Sequence, residues 1–416
     1  MPDLTKTIKL HIHISPEQEK LFRQMTEQYR IACNFVSQYI FDHQLILTYF
    51  DLNDVLYNDI RHNFGLKSQM SQSVIKTTIA RYKTVKTQLS QKPYRYKDRK
   101  DIWYSIPRTL EWLQKPIFFR RPQADLVRNR DYSFVDGGKA LSINTLGERV
   151  KCTFEGEHFA DYFKKDPINP QNSWKFGTAK LVELKGLWYL HISVTKAVKD
   201  FQKENVRHVV GIDRGLRFLV ATYDEKGKTE FVSGKQILIK RDKFLETRRQ
   251  LQSKGTKSAK RRLKAISGRE NRWMSDVNHQ ISKTLVNIYG EDTLFVLEDL
   301  TGVSFEEQNL KRGSKQNYTL RTWAFYQLEQ FLTYKAHGKR SEVLKVSAKY
   351  TSQRCPKCGV IHREHRDHNL HLYKCCCGYK SNDDRIGAMN IHKLGTMWLS
   401  GIEKPCFETP KKQAEK

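Results

Sequence analysis

Apolar and polar residues alternate from the start of the chain. Ile8, Leu10, Ile12 and Ile14 are separated by Lys9, His11 and His13, the period of a half-buried strand. Ser15-Pro16-Glu17 then predicts a helix start, with Ser15 as N-cap and Pro16 at the first helical position. To about Leu89 the apolar spacing is helical, through Leu21, Met25, Tyr29, Cys33, Val36 and Ile40 and later Val74, Ile75, Ile79, Tyr82 and Val85. After Lys92-Pro93 the period returns to two. Leu141, Ile143 and Thr145 turn at Gly147 into Val150, Cys152 and Phe154, and Leu181 to Leu184 turn at Lys185-Gly186 into Trp188, Leu190, Ile192 and Val194. This pattern predicts a β-barrel domain from residues 1–14 and 93–200, with a helical lobe, 15–92, inserted in it.

A polar stretch at 201–206 predicts a linker. Beyond it come strand signals through Phe231, a long basic helical pair from about Gln236 to Ile288, a strand at Leu294-Phe295-Val296-Leu297, a helix from about Thr322 to Ala336, and a strand at Glu342 to Val346. The tail, 401–416, has few apolar anchors and is expected to be mobile.

In this half, three acids stand where apolar elements end or begin. Val209-Val210-Gly211-Ile212 delivers Asp213, Leu294 to Leu297 deliver Glu298, and Asp384 opens a small-residue helical start that runs through Gly387, Ala388 and Asn390. Carboxylates gathered in one place repel unless a cation holds them. Hard oxygen donors with room for a phosphate suit Mg²⁺, and two such ions about 3.5–4 Å apart can clamp the attacking and leaving oxygens of a phosphodiester.

Composition narrows the partner. The chain has 416 residues, 74 basic against 45 acidic, a formal charge of +29. So large an excess repels itself unless a polyanion neutralises it, which favours nucleic acid. Lys257, Lys260, Arg261, Arg262, Lys264 and Arg269 crowd one segment. Arg120, Arg121 and Arg128 lie in another, where Tyr96, Trp103, Trp112, Phe118 and Phe119 are interleaved with cations such as Arg95, Lys97 and Arg108. Aromatic faces stack bases while cations hold the backbone, although a barrel also needs aromatic core, so the cations are the better nucleic-acid candidates. The early apolar stretch from Ile31 to Phe50 carries Asn34, Gln38, Asp42 and His43 and is too polar to span a bilayer. Of eight cysteines, five crowd between Cys355 and Cys377. Such clustering favours reduced thiolates on a metal in a cytoplasmic protein. Cys355-Pro356-Lys357-Cys358-Gly359 has zinc-knuckle spacing. The second pair comes from Cys375-Cys376-Cys377-Gly378, where Cys377 precedes glycine and Cys375 is preferred to Cys376 because alternate residues share a face. His362, His365, His368 and His371 could substitute but are expected to cover the exposed side of the loop.

Four motifs in this order resemble the TnpB (OrfB) family of transposon-associated RNA-guided DNA endonucleases, relatives of the compact type V CRISPR effectors. They are Gly211-Ile212-Asp213-Arg214-Gly215, Leu297-Glu298-Asp299-Leu300, Tyr350 to Gly359, and Cys377 to Asp384; Phe119 to Arg128 adds a fifth segment. The family commonly has Asp-Arg-Asp-x-Asn-Ala-Ala at the third acid, from which Asn382-Asp383-Asp384-Arg385-Ile386-Gly387-Ala388 departs. The distance from Cys377 and the spacing to Asn390 still select Asp384, with Asp383 and Asp299 nearer to solvated neighbours than to ligands and Asp383 the foremost alternative to Asp384. The resemblance implies an α/β multidomain protein. Its RNase H-like (RuvC) nuclease domain would occupy 207–352 and 383–400, with a zinc ribbon at 353–382 inserted in it, beside a β-barrel wedge carrying a helical recognition lobe. It further implies Asp213, Glu298 and Asp384 on two Mg²⁺ ions, one structural Zn²⁺ on Cys355, Cys358, Cys375 and Cys377, and guide RNA and double-stranded target DNA as partners. A nuclease-inactive RNA-guided repressor and a DNA-joining transposase are the alternatives, and all three acids being present disfavours the repressor.

Overall fold

The computed structural model describes residues 3–99, 101–156, 159–164, 173–300, 325–367 and 370–408. The chain divides between Ala197 and Val198 into two units, so the boundary falls just before the expected linker.

In the first unit, β1 (Asp3–His13) buries Leu4, Ile8, Leu10 and Ile12 on one side, the alternation read in the sequence. Three helices follow, α1 (Pro16–Asp42), α2 (Tyr49–Phe64) and α3 (Ser68–Ser90). Ser15 caps α1 by accepting from the Gln18 amide while the Gln18 side chain accepts from the Ser15 amide, a reciprocal pair that fixes the turn out of β1. A hairpin, β2 (Tyr94–Lys97) and β3 (Trp103–Ile106), precedes the remaining strands. These are β4 (Gln123–Leu126), β5 (Tyr132–Val135), β6 (Ala140–Asn144), β7 (Arg149–Glu155), β8 (Lys175–Leu184) and β9 (Leu187–Ala197). With β1 at the centre they form a seven-stranded sheet in the order β4-β8-β9-β1-β7-β6-β5.

The two edge strands, β4 and β5, are consecutive in the chain. Laid flat, such a sheet would be about 29 Å across, whereas the connection from Leu126 to Tyr132 reaches about 21 Å at most. The sheet therefore curls. Across the closing seam the Tyr132 hydroxyl donates to the Gly177 carbonyl at 2.6 Å and the Phe134 ring lies 5.2 Å from that of Phe176. The helical lobe expected at 15–92 does not stand apart from this barrel. Phe22 of α1 packs 5.5 Å from Trp188, and α1, α2 and α3 share one apolar core with the sheet.

The second unit is built on β10 (His208–Asp213), β11 (Phe218–Asp224), β12 (Thr229–Ser233), β13 (Thr293–Asp299) and β14 (Glu342–Ser347), in the order β12-β11-β10-β13-β14. The first three are antiparallel neighbours, while β10, β13 and β14 run parallel. The expected pair of basic helices is three: α4 (Lys235–Lys254), α5 (Lys257–Ile266) and α6 (Arg269–Tyr289). The breaks fall at Gly255 and Gly268, both left-handed (φ 62° and 76°), within a segment whose positive charge reads as continuous. Beyond come α7 (Phe325–His337), whose expected start at Thr322 lies outside the described residues, and α8 (Asp383–Leu399). A small sheet of β15 (Arg366–Asp367), β16 (Leu372–Lys374) and β17 (Lys380–Asn382) leads into α8.

Parity along the strands sorts the two faces of the sheet. Val210, Ile212, Phe295 and Leu297 face α6 and α7, whereas Val209, Leu294 and Val296 face α8. The expectation of a mobile tail fails as far as Phe407, which is buried in the α8-side core and lies 4.7 Å beneath the Arg354 guanidinium. A single aromatic ring provides that anchor. The tail beyond residue 408 lies outside the described residues.

Candidate active site

The two-residue period of a strand carries Asp213 to the α8 side together with Val209 and Gly211, and Glu298 to the same side together with Leu294 and Val296. Parallel pairing sets Gly211 beside Val296 and Ile212 beside Leu297, which aligns the two carboxylates at the strand ends. The third acid arrives on α8. Asn382 caps that helix, its Oδ1 accepting from the Asp384 and Arg385 amides at 3.0 and 3.1 Å. Glycine allows the helix to lie close to the sheet. A Cβ on Gly211 would sit 2.2 Å from the Ala388 carbonyl oxygen, and one on Gly387 would sit 2.5 Å from Oδ2 of Asp213. Gly387 stands where the TnpB motif commonly has alanine, and here it leaves room for the Asp213 carboxylate.

The electrostatics match this convergence. Burial lifts Asp213 well above the ordinary carboxylate range, and the neighbouring charges of Glu298 and then Asp384 lift it further. Glu298 is also raised by burial, against the hydrogen bond it accepts from the Thr351 hydroxyl. Asp213 thus feels the charge of both other acids, and oxygen donors in that state are relieved by a hard divalent cation, so these residues fit Mg²⁺.

The sequence did not disclose the groups that hold these acids. Arg214, its side chain almost fully buried, donates to the Glu298 backbone carbonyl at 2.6 Å and lies 3.5 Å from Glu329. Arg366, on β15, donates through Nε to Asp383 at 2.9 Å and places Nη2 3.6 Å from Asp384. His371 Nδ1 is 3.4 Å from Asp383. Asp383 is consequently not the solvated neighbour expected; it is fully buried and already engaged, while Asp384 is the helix acid whose charge acts on Asp213. Asp299, by contrast, is exposed as expected. Asn390 donates to the backbone carbonyls of Thr351 and Arg354 at 2.7 and 2.8 Å, tying α8 to the segment that enters the cysteine cluster.

Cys355, Cys358, Cys375 and Cys377 present sulfurs that all lie within 4.8 Å of one another. Cys355 and Cys377 are 3.7 Å apart and Cys358 and Cys375 3.5 Å, close to the about 3.8 Å edge of a tetrahedron with 2.3 Å metal–sulfur bonds. Both knuckles close through a glycine amide, the second one residue tighter than the first. The Gly359 amide donates to the Cys355 carbonyl and the Gly378 amide to the Cys375 carbonyl, each at 2.9 Å, with both glycines left-handed. Cys376 is exposed and stands outside this foursome. His365 reaches the Tyr373 hydroxyl at 3.2 Å; His368 lies outside the described residues.

Among the candidate nucleic-acid contacts, Lys257, Lys260, Arg261, Arg262 and Lys264 on α5, and Arg269 at the start of α6, are exposed, as are Arg120 and Arg121. Arg128 differs, because its guanidinium packs over the Phe176 ring at 4.8 Å and its position serves the barrel. Among the described residues no helix is long and apolar enough to cross a membrane.

Residues 191–302 match the family model OrfB_IS605, described as a probable transposase, and residues 325–391 match that of the Cas12f1-like TNB domain. This chain is TnpB- and Cas12f1-like. The CRISPR-associated endodeoxyribonuclease Cas12f1 of Sulfoacidibacillus thermotolerans is 28% identical over 226 residues, 50% of this chain and 50% of that protein. The TnpB-like protein L79 of Acanthamoeba polyphaga mimivirus is 26% identical over 215 residues, 49% of this chain and 40% of that protein. The TnpB-like sequence thus spans half or less of the length of these two relatives. Among solved structures, Cas12f1 in complex with sgRNA and target DNA matches with a TM-score of 0.54 at 13% identity, over 94% of this chain and 99% of that one. The mini-RNA-guided endonuclease CRISPR-Cas phi3 matches with a TM-score of 0.53 at 10% identity, over 98% and 94%. At these identities the likeness is one of fold, the α/β architecture of compact Cas12 effectors.

Proposed function

We propose that this chain is an RNA-guided DNA endonuclease whose phosphodiester hydrolysis takes place at Asp213, Glu298 and Asp384. The observation that carries the reading is the convergence of those acids from β10, β13 and α8, with Asp213 lifted by burial and then by the charges of the other two. On this reading the sheet of β10 to β14 is an RNase H-like (RuvC) nuclease core, in which three antiparallel strands are followed by two parallel ones. Mg²⁺ ions held by the three carboxylates would supply positive charge opposite the scissile phosphate. Arg214 and Thr351 keep Glu298 in place, and Gly387 leaves the Asp213 carboxylate unobstructed. Arg366 spans the two acids of α8, donating to Asp383 at 2.9 Å and standing 3.6 Å from Asp384. The four thiolates would hold one structural zinc. Guide RNA and target DNA are the partners, in keeping with the sgRNA–target DNA complex of the Cas12f1 relative and the excess of basic residues.

The test is cleavage of a target plasmid by the chain copurified with its RNA, with Mg²⁺ or with EDTA. Asp213→Asn should retain RNA and fold while cutting at least about a hundredfold more slowly. Undiminished cutting by that variant would refute the site. Cuts that ignore the RNA sequence would refute guidance. Because one matched family model is described as a transposase, strand-transfer products should be sought in the same reaction, and their appearance would favour DNA joining.

A further inference from the structure

The β2–β3 hairpin is unlike the rest of the first unit. All of its strand residues are exposed, so burial contributes little to it, and a lone two-stranded hairpin is marginal in water. Its register, Tyr94 opposite Ile106 and Tyr96 opposite Tyr104, places Tyr94, Tyr96, Tyr104 and Ile106 on one face and Arg95, Lys97, Trp103 and Ser105 on the other. On the first face the rings form a continuous row. Trp112 lies 5.9 Å from Tyr94, Tyr94 6.0 Å from Tyr96 and Tyr96 5.4 Å from Tyr104, the tyrosine pairs being stacked. Each of these four rings is nonetheless 39–46% exposed.

Arg108 borders the row, its guanidinium over Trp112 at 5.7 Å, while Lys97 lies over Trp103 at 5.5 Å on the opposite face. From residue 94 to 121 the sequence has eight basic residues against three acidic ones. An apolar partner protein would gain nothing from that charge, whereas a polyanion with flat apolar faces satisfies both sides of the hairpin at once.

We infer that the Trp112–Tyr94–Tyr96–Tyr104 row is a stacking platform for unpaired bases of single-stranded RNA, with Arg108, over Trp112 at its end, holding the backbone beside it. The inference rests on the RNA-guided reading and adds the place where unpaired nucleotides are held, away from the acids. RNA is the occupant because a guide is present before any DNA strand has been opened.

The test uses the full-length chain and a single-stranded RNA of about fifteen nucleotides carrying 2-aminopurine, whose fluorescence is quenched by stacking. Tyr96→Ala with Tyr104→Ala should weaken binding by about tenfold to a hundredfold and abolish the quench. Tyr96→Phe with Tyr104→Phe should preserve both, and the melting temperature should not move in either variant. Arg108→Ala should keep the quench and reduce the salt slope by about 0.7.

Unchanged affinity and quench in the alanine pair would overturn the platform, as would a quench seen only with single-stranded DNA of the same sequence. A fall in sedimentation mass, with the quench intact, would assign the face to a second copy of the chain. If wild type quenches while the cleavage test fails, the platform stands and the nuclease reading falls. If cleavage succeeds while wild type gives no quench, the platform falls alone.

Discussion

The carboxylate of Asp213 is in a setting that penalises its own charge. Burial and then the charges of Glu298 and Asp384 raise it. A group whose pKa is higher folded than unfolded contributes stability at low pH that is lost as pH rises through the folded value. The ion-free chain should therefore lose stability as pH rises above the ordinary carboxylate range, and Mg²⁺ should raise the melting temperature more toward the upper end of the pH range. Thermal melts in EDTA and in Mg²⁺ across this range read the difference directly; a larger Mg²⁺ increment at the acid end would contradict the grouping of the three acids. The same scale explains what sequence reading missed. Asp213 and Glu298 were legible because apolar runs deliver them with fixed parity. Arg366, Thr351 and Asn390 were not, because their partners are brought to them only by tertiary packing.

At the scale of elements, the approach of α8 to β10 is set by the absence of a side chain at Gly211. Gly211→Ala would press a methyl group into helix backbone and should lower stability by about 1–3 kcal/mol. A calorimetric melt checks this, and an unshifted transition would mean that α8 can retreat without cost. The cysteine knuckles permit a sharper discrimination. Cys377→Ser should abolish stoichiometric zinc, whereas Cys376→Ser should retain one ion per chain, because Cys376 stands outside the foursome. Elemental analysis of the purified variants decides it, and zinc loss in Cys376→Ser would move the fourth ligand. The preference for Cys375 could be argued beforehand from alternation, and the two knuckles were visible in the Cys-Gly endings. The fully buried Asp383 and the anchoring Phe407 were not visible, since a run of polar letters does not reveal which members find partners. The break of the basic helical segment at Gly255 and Gly268 was available in the sequence, but positive charge masked it.

For the whole molecule, the dominant property is charge. With +29 overall and the cations of α5 exposed, binding to nucleic acid should weaken steeply with salt. Arg261→Ala with Arg262→Ala should make the plot of log K against log[salt] shallower by about 1.4–1.8 if both touch phosphates. Fluorescence anisotropy at several salt concentrations measures it, and an unchanged slope would leave that helix in solvent. The broad architecture was legible from period alone: strands, an inserted helical block, then an acid-bearing sheet. What period cannot reveal is that helices and barrel share one core, because that depends on which apolar faces meet.

The closing turn of the barrel carries one more consequence. Strands β4 and β5 would each offer a bare row of amides and carbonyls if the sheet lay open, yet the short segment from Val127 to Asp131 brings their adjoining ends together, where Arg128 bridges Tyr132. An insertion or a proteolytic nick there would leave two unguarded margins, and exposed margins of that kind recruit strands from other copies and drive precipitation. The Lys185–Gly186 turn, which joins strands already paired along their length, carries no such liability.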